Sequence, residues 1–167
     1  MIKLEIFKEE DFSRLINWVD SEELMYIFSA ERFRYPLTHE QLINYTNTKD
    51  RIAYKVINKL TNEVIGHADF SKINKLSKNA RICSVLIGDK NSRNRGFGEQ
   101  IINELVSIGF NKMKLHRIDL GVFDFNKSAI KCYEKCGFKI EGLFRENLKY
   151  KNNYWSTYNM SILNINK

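Results

Sequence analysis

The run Ile87-Gly88-Asp89-Lys90-Asn91-Ser92-Arg93-Asn94-Arg95-Gly96-Phe97-Gly98 combines three cations with three glycines. An apolar alternating stretch precedes it and an amphipathic stretch follows, so it joins a predicted strand to a predicted helix start. N–H groups at a helix start are unpaired and carry partial positive charge. Glycines let that backbone come close to an anion, and Lys90, Arg93 and Arg95 add charge nearby. This is the chemistry of a pyrophosphate site. The spacing excludes two common versions of it. A dinucleotide fingerprint needs a glycine three residues after Gly98, where Ile101 stands. A Walker loop needs Gly-Lys-Ser/Thr, which is absent. What remains is Arg93-x-x-Gly96-x-Gly98. By itself this pattern reads equally well as a plain structural connection.

A second set of residues follows about thirty positions on: Asn126, Ala129, Ile130, Tyr133 and Gly137-Phe138. Spacings of three, four and seven put Asn126, Ala129 or Ile130, and Tyr133 on one helix face. That face presents an amide and a phenol. A phenol with an ordinary pKa of about 10 suits a proton donor to a leaving thiolate. The bland alternative makes Tyr133 a packed aromatic and Asn126 a helix cap, and the residues leave both open.

In this order and at this separation, the two sets carry a family likeness. Arg93-x-x-Gly96-x-Gly98 resembles the acetyl-CoA signature of GNAT N-acetyltransferases. Asn126-x-x-Ala129-x-x-x-Tyr133-x-x-x-Gly137-Phe138 resembles the second motif of that superfamily. Phe138 to Glu146, with Glu141-Gly142 and Arg145-Glu146, is similar to the branch of ribosomal-protein N-terminal and spermidine acetyltransferases, as is Leu115-His116-Arg117-Ile118. The resemblance covers nearly the whole chain. It implies transfer of acetyl from acetyl-CoA to a primary amine by direct attack. It also implies backbone contacts to the pantetheine arm at Leu86, Ile87 and Gly88. The pyrophosphate would be held by the amides of Arg93, Asn94, Arg95, Gly96, Phe97 and Gly98, with Asn126 beside the arm. A backbone N–H around Ile87 would polarise the thioester carbonyl, and Tyr133 would be the catalytic acid. One departure stands out. Some peptide-acetylating members carry a glutamate base where this chain has Gly121, so Asp69, Ser84, Asp119, Asp124, Glu141 and a water chain all remain candidates for the base.

Elements must position these residues. Ile2 to Phe7 alternates as a strand, and Asp11 is expected to cap a helix carrying Phe12, Leu15, Ile16 and Val19. A short helix is expected over Glu22 to Phe28. Thr38 with Gln41 forms a capping box for a helix from His39 to about Thr48. Ile52 to Ile57, Val64 to Ile73 and Ala80 to Ile87 read as strands, with helix patterns after Gly96 and over Asn126 to Cys136. His116 to Phe123, Phe138 to Lys149 and Tyr154 to Ile165 complete the strands. Gly137 can end its helix in the left-handed conformation. The expected fold is α/β (α+β): one domain over 1–167, with a mixed sheet of six to seven strands flanked by four to five helices.

Composition agrees with an ordinary globular protein: 43% hydrophobic and 28% charged, with no apolar run long enough for a membrane span. The start lacks a signal-peptide pattern, so a cytoplasmic location is expected. Cys132 and Cys136 are four apart, but no histidine stands at metal-site spacing from them, and no metal is expected. The net charge of +7 is spread along the chain. It favours a polyanionic ligand such as coenzyme A, and no recognised nucleic-acid motif accompanies it. Acceptor choice is expected from Ser21 to Thr48 and from the last hairpin. In the first, Arg32 and Arg34 interrupt Glu22, Glu23 and Glu31. In the second, Tyr150, Lys151, Tyr154 and Trp155 make a basic aromatic rim suited to a neutral or anionic amine. A peptide N-terminus, a polyamine and a nucleotide-linked amino sugar are the acceptors weighed. A non-catalytic CoA-binding protein is the alternative. The resembled branch commonly forms homodimers, which the residues alone do not decide.

Overall fold

The computed structural model describes residues 1–165. Its centre is a mixed sheet of seven strands in the order β1-β2-β3-β4-β5-β7-β6. The strands are β1 (Ile2–Ile6), β2 (Ile52–Asn58), β3 (Val64–Asn74), β4 (Asn79–Ile87), β5 (Arg117–Phe123), β6 (Lys139–Tyr150) and β7 (Asn153–Leu163). Five α-helices accompany them: α1 (Phe12–Trp18), α2 (Glu22–Ser29), α3 (His39–Thr46), α4 (Phe97–Ser107) and α5 (Lys127–Lys135). Among the described residues, no helix is long and apolar enough to cross a membrane.

Two apolar cores hold the layers. Ile101, Ile102 and Leu105 of α4 and Ile130 of α5 pack with Val56, Phe70, Ile82, Ile118, Leu120 and Met160 on one side of the sheet. Phe12 and Leu15 of α1, Met25 and Phe28 of α2 and Leu42 and Tyr45 of α3 pack with Ala53 and Leu86 in the second. Alternation along β4 sends Ile82 into the first core and, beyond an irregularity, Leu86 into the second.

That irregularity shapes the molecule. The register between β3 and β4 shifts between the pairs His67–Leu86 and Asp69–Cys83. Ser84 sits inside the shift with φ +53°, a left-handed value that side-chain-bearing residues rarely adopt. A bulge of this kind bends its strand. The parallel pairing of β4 with β5 accordingly stops at Ile82–Leu120, while β5 stays paired with β7 as far as Phe123–Thr157. A wedge opens between Cys83–Ile87 and Gly121–Phe123.

The expected elements are present with small shifts of boundary, and Gly137 is left-handed at φ +93°. Two caps differ. Asp11 does not cap α1: its carboxylate accepts from the Lys8 N–H at 3.1 Å and pairs with Arg14 and Lys55, because a short helical turn at Glu9–Asp11 precedes the helix. Thr38 does cap α3, accepting from the Gln41 N–H at 3.3 Å. The Gln41 amide does not return to the Thr38 N–H. It bridges the backbone of Arg34 and Pro36 instead, staking the preceding loop.

Candidate active site

The wedge between β4 and β5 continues into one cleft with two halves, which share Leu24, Val85, Leu86, Asn126 and Tyr133. The outer half, about 880 Å³, is lined by Val85 to Ile87, the start of α4 and the Asn126-to-Lys135 face of α5. The inner half, about 370 Å³, runs between α2, β4, β5 and the β6–β7 hairpin.

The outer half is a cradle of backbone donors. Asp89 turns the chain by accepting from the Asn91 N–H and the Ser92 hydroxyl. Asn94 (φ +58°) and Gly96 (φ +76°) are both left-handed, which folds the loop back on itself. Gly96 is the N-cap of α4 and offers no side chain to its N–H groups. The first backbone bond there is Gln100 N–H to Gly96 O, which leaves the N–H groups of Phe97, Gly98 and Glu99 without a backbone partner. A β-carbon on Gly96 would meet nothing within 4 Å, so the cradle stays open above it. Arg93, Lys131 and Lys135 line this half against the single carboxylate of Glu99. These features fit a pyrophosphate, by helix-start donors and by charge. Sequence reasoning missed Lys131 and Lys135; their spacing of four on α5 was the available signal.

Three expectations for the loop change. Gly88 does not line the cleft. Its N–H donates to Ile65 O at 3.0 Å, and a β-carbon there would overlap Trp18 of α1, so packing of α1 explains the glycine. Strand alternation then turns the Ile87 N–H away from β3 and into the wedge. Arg95 also lies off the lining, its guanidinium 6.0 Å over the Phe97 ring. Lys90 is engaged with Asp20 at 3.4 Å. Leu86, Ile87, Arg93, Asn94, Gly96, Phe97 and Gly98 all line the outer half.

Asn126 caps its helix and also faces the cleft. Its Oδ1 caps α5 by accepting from the Ala129 N–H at 3.2 Å. Its Nδ2 has no protein partner among the described residues, and the residue lines both halves. Tyr133 stands at the same junction. Burial pushes its phenol well above the ordinary value of 10, with Cys132, Cys136 and Cys83 adding in the same direction. The phenol therefore stays protonated at any working pH, and its hydroxyl has no hydrogen-bond partner among the described residues.

The candidate bases separate by position. Glu141 accepts two bonds from Arg117, at 2.6 and 2.7 Å, one from Ser161 and one from Asn159. These partners, Arg117 foremost, hold its carboxyl down at about 2, so it cannot take up a proton near neutrality. Asp119 is paired with Arg81 and Arg117. Asp69 is fully buried behind the wall, accepting from Tyr45 Oη at 2.6 Å. Ser84 Oγ accepts from Arg32 Nη1 at 2.5 Å. Asp124 is not among the lining residues. No aspartate or glutamate lines the inner half. At Gly121 the room left by the missing side chain is taken by Arg81, whose Nη2 would lie 2.6 Å from a β-carbon there.

Of the residues expected to form the rim, Tyr154 and Lys151 are exposed but lie off the cleft lining, and Tyr150 and Trp155 are packed away. Tyr26 of α2 packs against Tyr150, Trp155 and Phe123, and donates its hydroxyl to Lys149 O at 2.8 Å. Tyr150 and Trp155 thus clamp α2 to the hairpin. Phe123, Phe144 and Leu148 line the inner half in their place.

Comparison with known proteins supplies the context. A family model described as an acetyltransferase (GNAT) domain matches residues 4–159. The uncharacterized N-acetyltransferase p20 of Bacillus licheniformis is 32% identical over 66% of this chain and 61% of its own length. The spermidine N(1)-acetyltransferase of Vibrio cholerae is 29% identical over 65% of this chain and 61% of its own. The match thus spans about six tenths of each relative. The crystal structure of spermidine N-acetyltransferase from Vibrio cholerae, in complex with CoA and spermine, superposes with a TM-score of 0.85. It covers 97% of this chain and 95% of that one at 23% identity, a likeness of fold.

Proposed function

The chain belongs to the GNAT acetyltransferase family, and from that premise we propose that it moves an acetyl group from acetyl-CoA to a primary amine by direct attack. The observation that carries the reading is the Tyr133 hydroxyl, firmly protonated and without a protein partner, at the meeting point of a phosphate cradle and an inner cleft. Acetyl-CoA supplies the thioester; the chain supplies the positioning. The N–H groups at the start of α4, with Arg93, Lys131 and Lys135, hold the phosphates. The wedge-facing edge of Val85 to Ile87, where Ile87 O accepts from Arg93 Nε at 3.1 Å, pairs with the arm, and Asn126 Nδ2 donates beside it. The Ile87 N–H polarises the carbonyl, a contact worth a few kcal/mol as negative charge develops there. Tyr133 Oη donates a hydrogen bond to the leaving sulfur. With no carboxylate lining the inner half, the amine sheds its proton to water, and alignment supplies much of the rate.

The acceptor is a peptide N-terminus or a small amine. Acetylation of a polyamine is the second reading, suggested by the likeness to the Vibrio cholerae enzyme. Nucleotide-linked amino sugars are a third class to assay. The whole chain works as one domain, and its three free cysteines suit a reducing compartment such as the cytoplasm. Ile140 and Leu143, exposed on the outer strand β6, suit a homodimer contact, which sedimentation velocity would detect. Thiol release from acetyl-CoA, assayed against peptides, amino acids, amino sugars and spermidine, tests the activity. With the preferred amine, Tyr133→Phe lowers kcat by about 100-fold, roughly 2.7 kcal/mol, while acetyl-CoA affinity stays within about threefold. An unchanged kcat would remove Tyr133 from the mechanism.

A further inference from the structure

We propose that Arg32 is an anion anchor in the inner half of the cleft, so that the amine acceptor carries an oxyanion, a carboxylate or a phosphate, a few bonds from its amino group. This rests on the acetyl-transfer reading above and adds the substrate's charge to it.

The charge count carries the inference. Two arginines, Arg32 and Arg81, line the inner half, and no acidic residue does. Arg81 is closely charge-paired: its Nη1 donates to Asp119 and to Asn159 Oδ1. Arg32 is not. Its Nη1 donates to Ser84 Oγ, the Cys83 sulfur is a weak second acceptor, and no carboxylate takes a hydrogen bond from it among the described residues. The side chain is only 24% exposed, so water solvates it poorly. The nearest carboxylate, Asp69, lies at 3.7 Å and is shared with Arg51 at 3.9 Å. Tyr45 is held neutral by burial and by the Asp69 charge, and desolvation holds His67 neutral with its pKa down at about 4. Two guanidiniums thus face one carboxylate, and the surplus positive charge points into the cleft. A guanidinium with free parallel donors matches a carboxylate or phosphate in shape as well as sign. A polycation would meet repulsion there.

Position ties this charge to the chemistry. Ser84, which Arg32 grips, is the bulge residue that opens the wedge. The neighbouring Cys83 thiol lies close enough to influence both the Arg32 guanidinium and the Tyr133 phenol. Ala30 (φ +50°) and Ser84 (φ +53°), both lining residues, are left-handed on either side of the Arg32–Ser84 bond. Backbone of that kind persists where the surroundings hold it in place, and here it fixes where the guanidinium points. Arg81, charge-paired with Asp119, fills the space beside Gly121 on the same wall and leaves Arg32 as the cation free to meet a ligand.

Matched amines test the anchor. With saturating acetyl-CoA, kcat/KM is measured for alanine against alaninamide, for 2-aminoethyl phosphate against ethanolamine, and for spermidine. Calorimetry on the CoA-saturated protein measures binding of N-acetylalanine against N-acetylalaninamide, a readout independent of turnover. The acidic member of at least one pair is favoured by about tenfold or more, and the pair that shows it separates carboxylate from phosphate. In Arg32→Gln that ratio falls toward one through KM, and Arg32→Lys keeps an intermediate ratio. Thermal unfolding checks that each variant is folded; if Arg32→Gln is not, Arg32→Lys and the wild-type ratios decide. Ratios at or below one in the wild type, spermidine as the best acceptor, or equal losses for both members of a pair in Arg32→Gln overturn the proposal. Absence of turnover with every amine overturns the acetyl-transfer reading, while the calorimetric ratio still decides the anchor.

Discussion

The outer half of the cleft grips with backbone, and the inner half grips with side chains. In the outer half, consecutive residues supply the backbone donors, and the glycines that shape them lie within one twelve-residue run, joined by Lys131 and Lys135 from α5. In the inner half, Arg32, Arg81 and Ser84 line the wall and Tyr45, His67 and Asp69 lie behind it; they come from the turn after α2, α3, β3 and β4 and meet only in the folded molecule. A site of the first kind depends on local conformation, and its residues can change with little effect on the core. A site of the second kind is part of the core, so changing it changes the fold.

The sharpest way to break that contrast is to remove Asp69. Its loss leaves Arg32 and Arg51 without their shared carboxylate and Tyr45 without its acceptor. Asp69→Ala costs about 3–5 kcal/mol in a urea denaturation series, the range for breaking a buried charge pair. A loss under about 1 kcal/mol would mean that the cluster does not support the fold. His67 gives the next effect. Burial holds its ring neutral down to about 4, against an ordinary 6.5, so the unfolded chain takes up this proton first. The stabilisation is complete above pH 6.5 and is lost as the pH falls from 6.5 toward 4. Between pH 7 and 5 it amounts to about 2 kcal/mol. The bonds from Arg117 and its neighbours to Glu141 act in the same sense at lower pH, between 4.5 and about 2. In His67→Gln the stability change between pH 7 and 5 shrinks by that amount; an unchanged slope would show that His67 does not control it. The smallest effect belongs to Asn126. Asn126→Ala removes one helix cap, about 1 kcal/mol of stability, and also weakens acetyl-CoA binding. A stability loss with binding intact would make Asn126 a cap alone.

The same contrast explains what could be read from the chain. The strands, the helices and the outer cradle follow from periodicity and from glycine and cation spacing, all local signals. Gly88 read as a ligand contact, and the packing reason for its being a glycine, Trp18, lies seventy residues earlier in the chain. Asp11 looked like a cap because a short helical turn before α1 has no signature of its own. The bulge at Ser84, which opens the wedge, leaves no mark in a run of ordinary strand residues. Arg32 was visible only as an interruption in an acidic stretch. Its role appears once Ser84 and Asp69, both distant in sequence, are seen beside it. Tyr150 and Trp155 announced an aromatic surface, but packing against Tyr26 turned that surface into a clamp.

The central claim, that this cleft holds acetyl-CoA by the start of α4, is tested most directly by calorimetric titration of acetyl-CoA into the wild-type protein and into Gly96→Glu. That substitution places a carboxylate in the cradle at a left-handed position where a β-carbon meets nothing within 4 Å. Saturable binding at one site per chain, weakened by about 100-fold, roughly 2.7 kcal/mol, in a still-folded Gly96→Glu, is the result the account predicts. No binding by the wild type, or equal binding by both proteins, would contradict it.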